Sequence, residues 1–338
     1  MAIAYHSSSI AKVDRLTRSE YTCSQRIELN RDHRGPGVAT PVALHKRHEF
    51  SSFIEEVLIP HPAVQGVVGI GSIATGHARL ESDIDAVLFL DPFDLYVVPA
   101  VSYWRRSDGS FNSIFSVTAD QHTEGLFLDI QRYDLCQWTD PGFVWPEGRR
   151  AELAAGWLAF DRAGAVAQLI AERTAYPDDL RIARMDDAIV WIDQHLAEDK
   201  PERVWESLGP AIAHDRLNAT YEYLVQALFA YNRRWRPWRN REMSYLQQLP
   251  WLPAHFAALV LPVSNAPGLD RAGYDARVEV LRGLFNDFLT ELVGKRVYTE
   301  KPISEAFIRI HPGAGRSWDM DEWNIEHRKR KLGGISHG

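Results

Sequence analysis

Cysteine is almost absent from this chain, whose 338 residues contain only Cys23 and Cys136. Two cysteines cannot build a disulfide framework or a cysteine-based zinc site, and this usage fits a reducing compartment. No apolar run approaches the roughly 18 residues of a membrane span. The first fifteen residues also lack the apolar core of a signal peptide. We therefore expect a cytoplasmic protein without a membrane partner.

An excess of positive charge is also missing. The chain has 38 Lys and Arg against 45 Asp and Glu, a net charge of −7. This balance argues mildly against a general nucleic-acid binder, although a local basic patch stays compatible with it. The hydrophobic content of 45% and charged content of 25% are those of an ordinary soluble globular protein. The length suggests about two domains.

Strand patterns come first along the chain and helical patterns follow. This order predicts an α+β fold, in which a small mixed β-sheet head flanked by helices precedes an all-α helical domain. We place the head at residues 43–175 and the helical, substrate-binding domain at residues 176–310. Residues 1–42 are expected to form an N-terminal arm, and residues 311–338 a peripheral tail.

The individual elements are predicted from apolar periodicity and from turn residues. Strands are expected at residues 66–70, 83–90, 101–104, 111–117, 126–137 and 156–161. Helices are expected at residues 42–59, 165–173, 211–235 and 274–293, with a further helix beginning near Asp178.

The most informative stretch is Val67–Leu90, VVGIGSIATGHARLESDIDAVLFL. Two hydrophobic strand patterns flank a Gly-Ser turn and a polar connection, and the second strand starts with Asp83 and Asp85. These two residues face the same side of a strand, roughly 7 Å apart at Cα. A charge beside a core needs a partner or a metal. Two oxygen-ligand carboxylates suit Mg²⁺, which takes other ligands from water and substrate phosphates.

The turn at Gly71 and Ser72 fits a phosphate-containing substrate. Glycine lets the backbone approach a phosphate closely, backbone N–H groups at a helix N-terminus attract anions, and Ser72 adds a hydroxyl donor. The turn matches neither the P-loop nor the dinucleotide fingerprint. A triphosphate is the natural substrate of such a turn beside a Mg²⁺ site, and Arg79, just before the aspartates, could meet it or be simple surface.

A third acid, Asp129, interrupts the otherwise apolar strand LFLDIQRYDL. With Asp83 and Asp85 it could hold two metal ions that activate the attacking oxygen and stabilise the leaving one. Alternatively, it could act as general base on an incoming hydroxyl. Glu124 and Asp134 are its substitutes if the strand register differs.

Five arginines lie among aromatic residues in Tyr231–Arg241, YNRRWRPWRNR. One interpretation is a clamp in which Arg233 and Arg234 bind phosphate or another anionic group. Trp235 or Trp238 would then stack on the substrate. The other interpretation is a solvated basic helix end that complements the helix dipole.

The pattern Gly-Ser-x₁₀-Asp-x-Asp between two hydrophobic strands resembles the signature of the DNA polymerase β-type nucleotidyltransferase superfamily. The tight match covers Val67–Leu90. The layout of residues 43–175 is similar to the head of this family. The helical half resembles its stand-alone bacterial members, including the aminoglycoside and lincosamide nucleotidyltransferases.

The resemblance implies Mg²⁺-dependent transfer of a nucleoside monophosphate to a hydroxyl of a small-molecule acceptor, such as an antibiotic, with release of pyrophosphate. ATP is the expected nucleotide, AMP the expected group, and two Mg²⁺ ions are expected. By the resemblance, Asp83 and Asp85 match the metal ligands of the family, and Gly71 and Ser72 match its triphosphate-binding turn. Asp129 matches its third acid. In some antibiotic-modifying relatives the base comes from the helical domain, so the role of Asp129 stays open.

Two alternatives remain at this stage. The acceptor could be a macromolecule, either tRNA or a protein, which the basic segment favours and the negative net charge disfavours. The chain could also be a catalytically inactive nucleotide-binding module, against which the intact acids argue.

Overall fold

The computed structural model describes residues 39–116, 125–266 and 268–333. Nearly all of the predicted arm, residues 1–42, lies outside the described residues, as do Glu124 and the last residue of the strand predicted at 111–117. Among these residues a mixed six-stranded sheet with flanking helices is followed by helices, so the fold is α+β, which confirms the predicted class. No helix of the described part is both long and apolar enough to cross a bilayer.

The first part of the chain contains the sheet. In chain order its elements are α1 (Pro41–Phe53), β1 (Val64–Gly69), α2 (Gly71–Thr75), β2 (Ile84–Leu90), β3 (Val101–Arg105), β4 (Ser110–Asn112), β5 (Gly125–Asp134), α3 (Leu135–Thr139), α4 (Glu147–Ala154), β6 (Trp157–Asp161) and α5 (Ala165–Thr174). Helix α1 runs directly into a π-helical turn over Ile54–Leu58.

The second part is helical. Its elements are α6 (Asp178–Leu196), α7 (Lys200–Leu208), α8 (Pro210–Tyr231), α9 (Arg239–Leu246), α10 (Phe256–Ser264), α11 (Arg271–Gly294), α12 (Pro302–Ile310) and α13 (Met320–Gly333). Helices α6 to α12 share one apolar core, which includes Ile189 and Ile192 of α6, Leu224 and Leu228 of α8, and Leu284 and Phe288 of α11.

The sheet has the strand order β4-β3-β5-β2-β1-β6. The central strands β2 and β5 run parallel, and the other paired strands are antiparallel. In the parallel pair Asp85 is the Cα partner of Asp129, and Ile84 is the partner of Leu128. The register therefore brings two acids that are distant in sequence to neighbouring positions on one face.

Both faces of the sheet are covered. Ile84, Ala86 and Leu88 of β2 pack in one core with the buried side of α1 and its π-helical turn, while Val87 and Phe89 belong to a second core on the opposite face. Burial on both faces explains why β1 and β2 read as nearly continuous hydrophobic runs. Asp85 is on the second face, where α4 and α5 pack.

Several element boundaries differ from the predictions. The strand predicted at 111–117 is wrong beyond residue 112, because β4 covers Ser110–Asn112 and a 3₁₀ helix follows at Ile114–Ser116. Strand β5 ends at Asp134 and not at residue 137, because the Asp134 side chain accepts a hydrogen bond from the Cys136 N–H (3.0 Å) and caps α3. Helix α4 begins at Glu147, where the proline and glycine residues predict a loop. The predicted helix at 211–235 ends at Tyr231. In the predicted tail, α13 is a helix, and it is almost entirely exposed.

Polar contacts join the sheet-containing part to the helices. Glu147 of α4 accepts two hydrogen bonds from Arg184 of α6 (2.5 and 2.8 Å) and one from the Arg236 backbone N–H (3.1 Å). Trp235 is buried, and its indole N–H donates to the Thr174 carbonyl (2.7 Å). The segment after α8 is thereby held against the sheet-containing part.

Candidate functional site

Gly71 lies directly against Asp85. Its φ of +61° is in the left-handed region, which glycine adopts without strain. A Cβ at this position would fall 2.3 Å from Asp85 Oδ2 and 3.4 Å from the nearer nitrogen of Arg241. Both the backbone conformation and the available space therefore require glycine. The predicted Gly-Ser turn is the start of the short helix α2.

Helix α2 is held in place from α1. The Arg47 side chain donates to the carbonyls of Ile73 (2.8 Å) and Ala74 (2.7 Å), which α2 itself leaves without partners. Gly76, with φ of +79°, ends the helix. This arrangement fixes Gly71 and the half-buried Ser72 beside the acids.

The three predicted acids influence one another. Asp83 is exposed at the entrance to β2, whereas the Asp85 side chain is only 23% exposed. Burial, together with the neighbouring charges of Asp83 and Asp129, raises the pKa of Asp85 to about 6, and the charge of Arg241 opposes this rise. Burial and the Asp83 charge also raise the pKa of Asp129. Like charges in a partly desolvated site favour a cation or a proton there.

Arg241 was not among the residues singled out from the sequence. Its Nη2 atom lies 3.8 Å from Asp85 Oδ2, and α9 carries it there. The arginine-rich segment Tyr231–Arg241 was visible in the sequence as a signal. The sequence does not indicate that Arg241 is the arginine that meets the acids, because the direction of its side chain depends on how α9 packs.

The other predicted arginines are placed differently. Arg233 forms an ion pair with Asp178 at 2.9 Å. Arg234 is exposed and lines a cleft between the sheet-containing part and the helices. Arg79 is exposed in the connection between α2 and β2. Their predicted contact with a triphosphate stays a prediction.

A second group of polar side chains continues from Asp129 along the same face of β5. Arg149 of α4 donates to Gln131 Oε1 (2.6 Å) and pairs with Glu152 (2.6 Å). Its guanidinium also lies over the ring of Trp238, 6.0 Å from the centroid. Glu152 adds to the raised pKa of Asp85.

Of the two tryptophans predicted to stack, Trp238 keeps an exposed ring. Trp238 is 42% exposed and Trp235 is 7% exposed. The ring of Trp238 packs against Gly148, where a Cβ would fall 2.5 Å from it. Of these two tryptophans, Trp238 is therefore the one that keeps surface accessible to a ligand.

The oxygen donors at this site match Mg²⁺ in type. Within residues 39–116, 125–266 and 268–333, no three His, Cys, Asp or Glu side chains are gathered closely enough to hold a metal by themselves. Mg²⁺ usually needs only one or two carboxylates, with water and phosphate as its other ligands. Asp83 and Asp85 on one face of β2 meet that requirement, so the donor set fits the ion.

No family model matches the sequence, and no curated protein matches it. Among solved structures, the crystal structure of a nucleotidyltransferase-like protein from Exiguobacterium sibiricum 255-15 is similar at a TM-score of 0.35 and 11% identity. The match covers 86% of this chain and 89% of that chain. A similarity at this level assigns neither a family nor an activity.

Proposed function

We propose that the protein transfers a nucleoside monophosphate from a nucleoside triphosphate to a hydroxyl group of a small-molecule acceptor. The observation that carries this proposal is the register of the parallel pair β2–β5, in which Asp85 stands beside Asp129 with Asp83 on the same face and Gly71 against it. Three interacting acids beside a glycine that admits a close backbone approach suit the chemistry of a triphosphate.

Each residue has a role in this proposal. Asp83 and Asp85 hold Mg²⁺, which neutralises phosphate charge and polarises the α-phosphorus when bound. The backbone at Gly71 and the Ser72 hydroxyl bind the triphosphate. Arg241, whose guanidinium lies 3.8 Å from the Asp85 carboxylate, would donate to the β- and γ-phosphates.

The transfer step conserves atoms and charge as follows. The acceptor oxygen attacks the α-phosphorus, and a new O–P bond forms. The bond from the α-phosphorus to the oxygen that bridges to the β-phosphorus breaks, and pyrophosphate leaves. The hydroxyl proton passes to the carboxylate of Asp129. Its raised pKa makes it a stronger base than an ordinary aspartate.

ATP remains the expected nucleotide. An adenine ring would stack on the exposed face of Trp238, next to the guanidinium of Arg149. This arrangement accepts any flat base, so the choice of ATP rests on the resemblance noted above.

The decisive experiment measures pyrophosphate release from ATP and Mg²⁺ with a panel of hydroxyl-bearing acceptors. Asp85→Asn is expected to reduce turnover at least about 1,000-fold, because the metal site loses a charged ligand. Asp215→Asn, on an exposed position of α8, is the matched control for an Asp-to-Asn change. Near-normal turnover by Asp85→Asn would refute the metal assignment.

A further inference from the structure

A small cleft lies between the sheet-containing part and the helices. It has a volume of about 290 Å³, close to the lower end of the roughly 300–1,000 Å³ found for ligand pockets. Thr75 of α2, Ala151 and Ala154 of α4, and Tyr245 and Gln248 at the end of α9 are among its lining residues. Arg234 also lines it, from the segment that connects α8 to α9.

Two of the lining residues of the cleft lie one helical turn from residues that approach Asp85. Gly71 and Arg241 both approach the Asp85 carboxylate, Gly71 through its backbone and Arg241 at 3.8 Å. Thr75 follows Gly71 by four residues in α2, and Tyr245 follows Arg241 by four residues in α9. Residues four apart lie on one face of a helix, about one 5.4 Å turn along it. Both walls of the cleft therefore lead to the candidate site.

The charge of the cleft comes from Arg234. Four of the five arginines in Tyr231–Arg241 are paired with carboxylates: Arg233 with Asp178, Arg236 and Arg239 with Glu222 and Glu242, and Arg241 with Asp85. Arg234 forms no ion pair with the described residues, and no Asp or Glu is among the cleft's lining residues. The cleft thus presents one exposed, uncompensated guanidinium.

Resting on the function proposed above, we propose that this cleft is the acceptor subsite and that its acceptor carries an anionic group in addition to the hydroxyl that attacks. The guanidinium of Arg234 is a planar donor suited to phosphate or carboxylate oxygens. Thr75, Tyr245 and Gln248 provide polar groups for the remainder of a small polar molecule. A polycationic acceptor, such as an aminoglycoside, would meet a positive charge here and no lining carboxylate.

The proposal gives Arg234 a different partner from the triphosphate that the sequence suggests for it. The two assignments separate in a binding experiment on the full chain by calorimetry. Glycerol, glycerate and glycerol 3-phosphate are matched probes that differ in their anionic group. Each is titrated with Mg²⁺, both without nucleotide and at saturating α,β-methylene-ATP, which cannot release pyrophosphate.

We expect at least one anionic probe to bind about tenfold or more tightly than glycerol, because a charge-assisted contact is gained. Whether glycerate or glycerol 3-phosphate binds more tightly identifies the anionic group. Arg234→Gln should abolish the difference, Arg234→Lys should keep part of it, and Arg203→Gln, an exposed arginine of α7, should keep all of it. Binding should persist with α,β-methylene-ATP present.

Two results overturn the proposal: equal binding of the anionic probes by the wild type and Arg234→Gln, or loss of binding when the nucleotide analogue is added. The second result would indicate that Arg234 binds the triphosphate and not the acceptor. Pyrophosphate release provides an independent readout, in which Arg234→Gln should raise the KM of the anionic acceptor about tenfold and leave the KM of ATP unchanged. If no acceptor stimulates pyrophosphate release, the proposed function fails, and the binding experiment still decides the anionic preference.

Discussion

Gly71 and Asp85 are packed so closely that a methyl group on Gly71 would overlap the carboxylate, with its carbon 2.3 Å from Oδ2. The contact joins the beginning of α2 to the second residue of β2. The Asp85 carboxylate can occupy this position because Gly71, fourteen residues earlier, has no side chain.

Gly71→Ala is expected to reduce turnover at least about 100-fold. Its left-handed φ alone costs about 1–2 kcal/mol for an L-residue, and the clash displaces the Asp85 carboxylate in addition. The measurement is pyrophosphate release together with thermal unfolding. Gly109→Ala is a matched control, since Gly109 has φ of +67° and open space around its Cβ position. Equal effects of the two variants on activity would show that the Asp85 contact has no role.

Asp85→Asn is expected to stabilise the fold at neutral pH in metal-free buffer. The folded-state pKa of about 6 lies above the ordinary value of about 3.9, so folding favours the protonated acid. The stability that this proton contributes is complete below about pH 4 and is lost as the pH rises through 6. Above pH 6 the asparagine variant should therefore be more stable, by about 1–2 kcal/mol.

This gain should vanish below about pH 4, where the carboxyl is protonated in both states. Urea unfolding at pH 3.5, 5 and 7.5 with EDTA present measures it, and Asp215→Asn provides the comparison at an exposed position. A stability gain independent of pH would contradict the buried-charge explanation.

Arg241→Gln is expected to raise the KM for ATP about tenfold, because a charge-assisted phosphate contact is lost. Arg203→Gln removes the same charge from a distant exposed position and should leave this KM unchanged. A double-mutant cycle with Asp85→Asn, measured by unfolding without nucleotide, should give a coupling below about 1 kcal/mol, since the pair is partly exposed and 3.8 Å apart. An unchanged KM for ATP would show that Arg241 does not bind the triphosphate.

Glu147→Gln is expected to destabilise the protein by about 1–3 kcal/mol. Glu147 accepts two hydrogen bonds from the half-buried Arg184, and without its charge this guanidinium loses its carboxylate partner. Urea unfolding measures the loss, and Glu172→Gln, at an exposed position of α5, is the control. Destabilisation no greater than that of the control would show that this contact adds little to the joint between the sheet-containing part and the helices.

The order of strands and helices was predictable from the sequence because burial imposes a local pattern. Both faces of β1 and β2 are covered, so their apolar runs are continuous, and one face of α8 and of α11 is buried, so their apolar residues recur at helical spacing. Boundaries set by one side chain, such as the cap at Asp134, were missed. Short polar helices such as α4 were missed because their apolar stripe is too weak to detect.

By itself, the sequence determined which acids share a strand face, because the period of two in a β-strand places Asp83 and Asp85 on one side. It also determined that a turn at Gly71 and Ser72 precedes these acids, whereas the structure shows that this turn begins helix α2. Only the tertiary structure decided that Asp85 and Asp129 are partners, because the pairing of β2 with β5 depends on long-range packing. It also decided which arginine meets the acids and which faces the cleft. The sequence places five arginines within eleven residues, but the packing of α9 against the sheet-containing part brings Arg241 to Asp85 and leaves Arg234 without a carboxylate partner among the described residues.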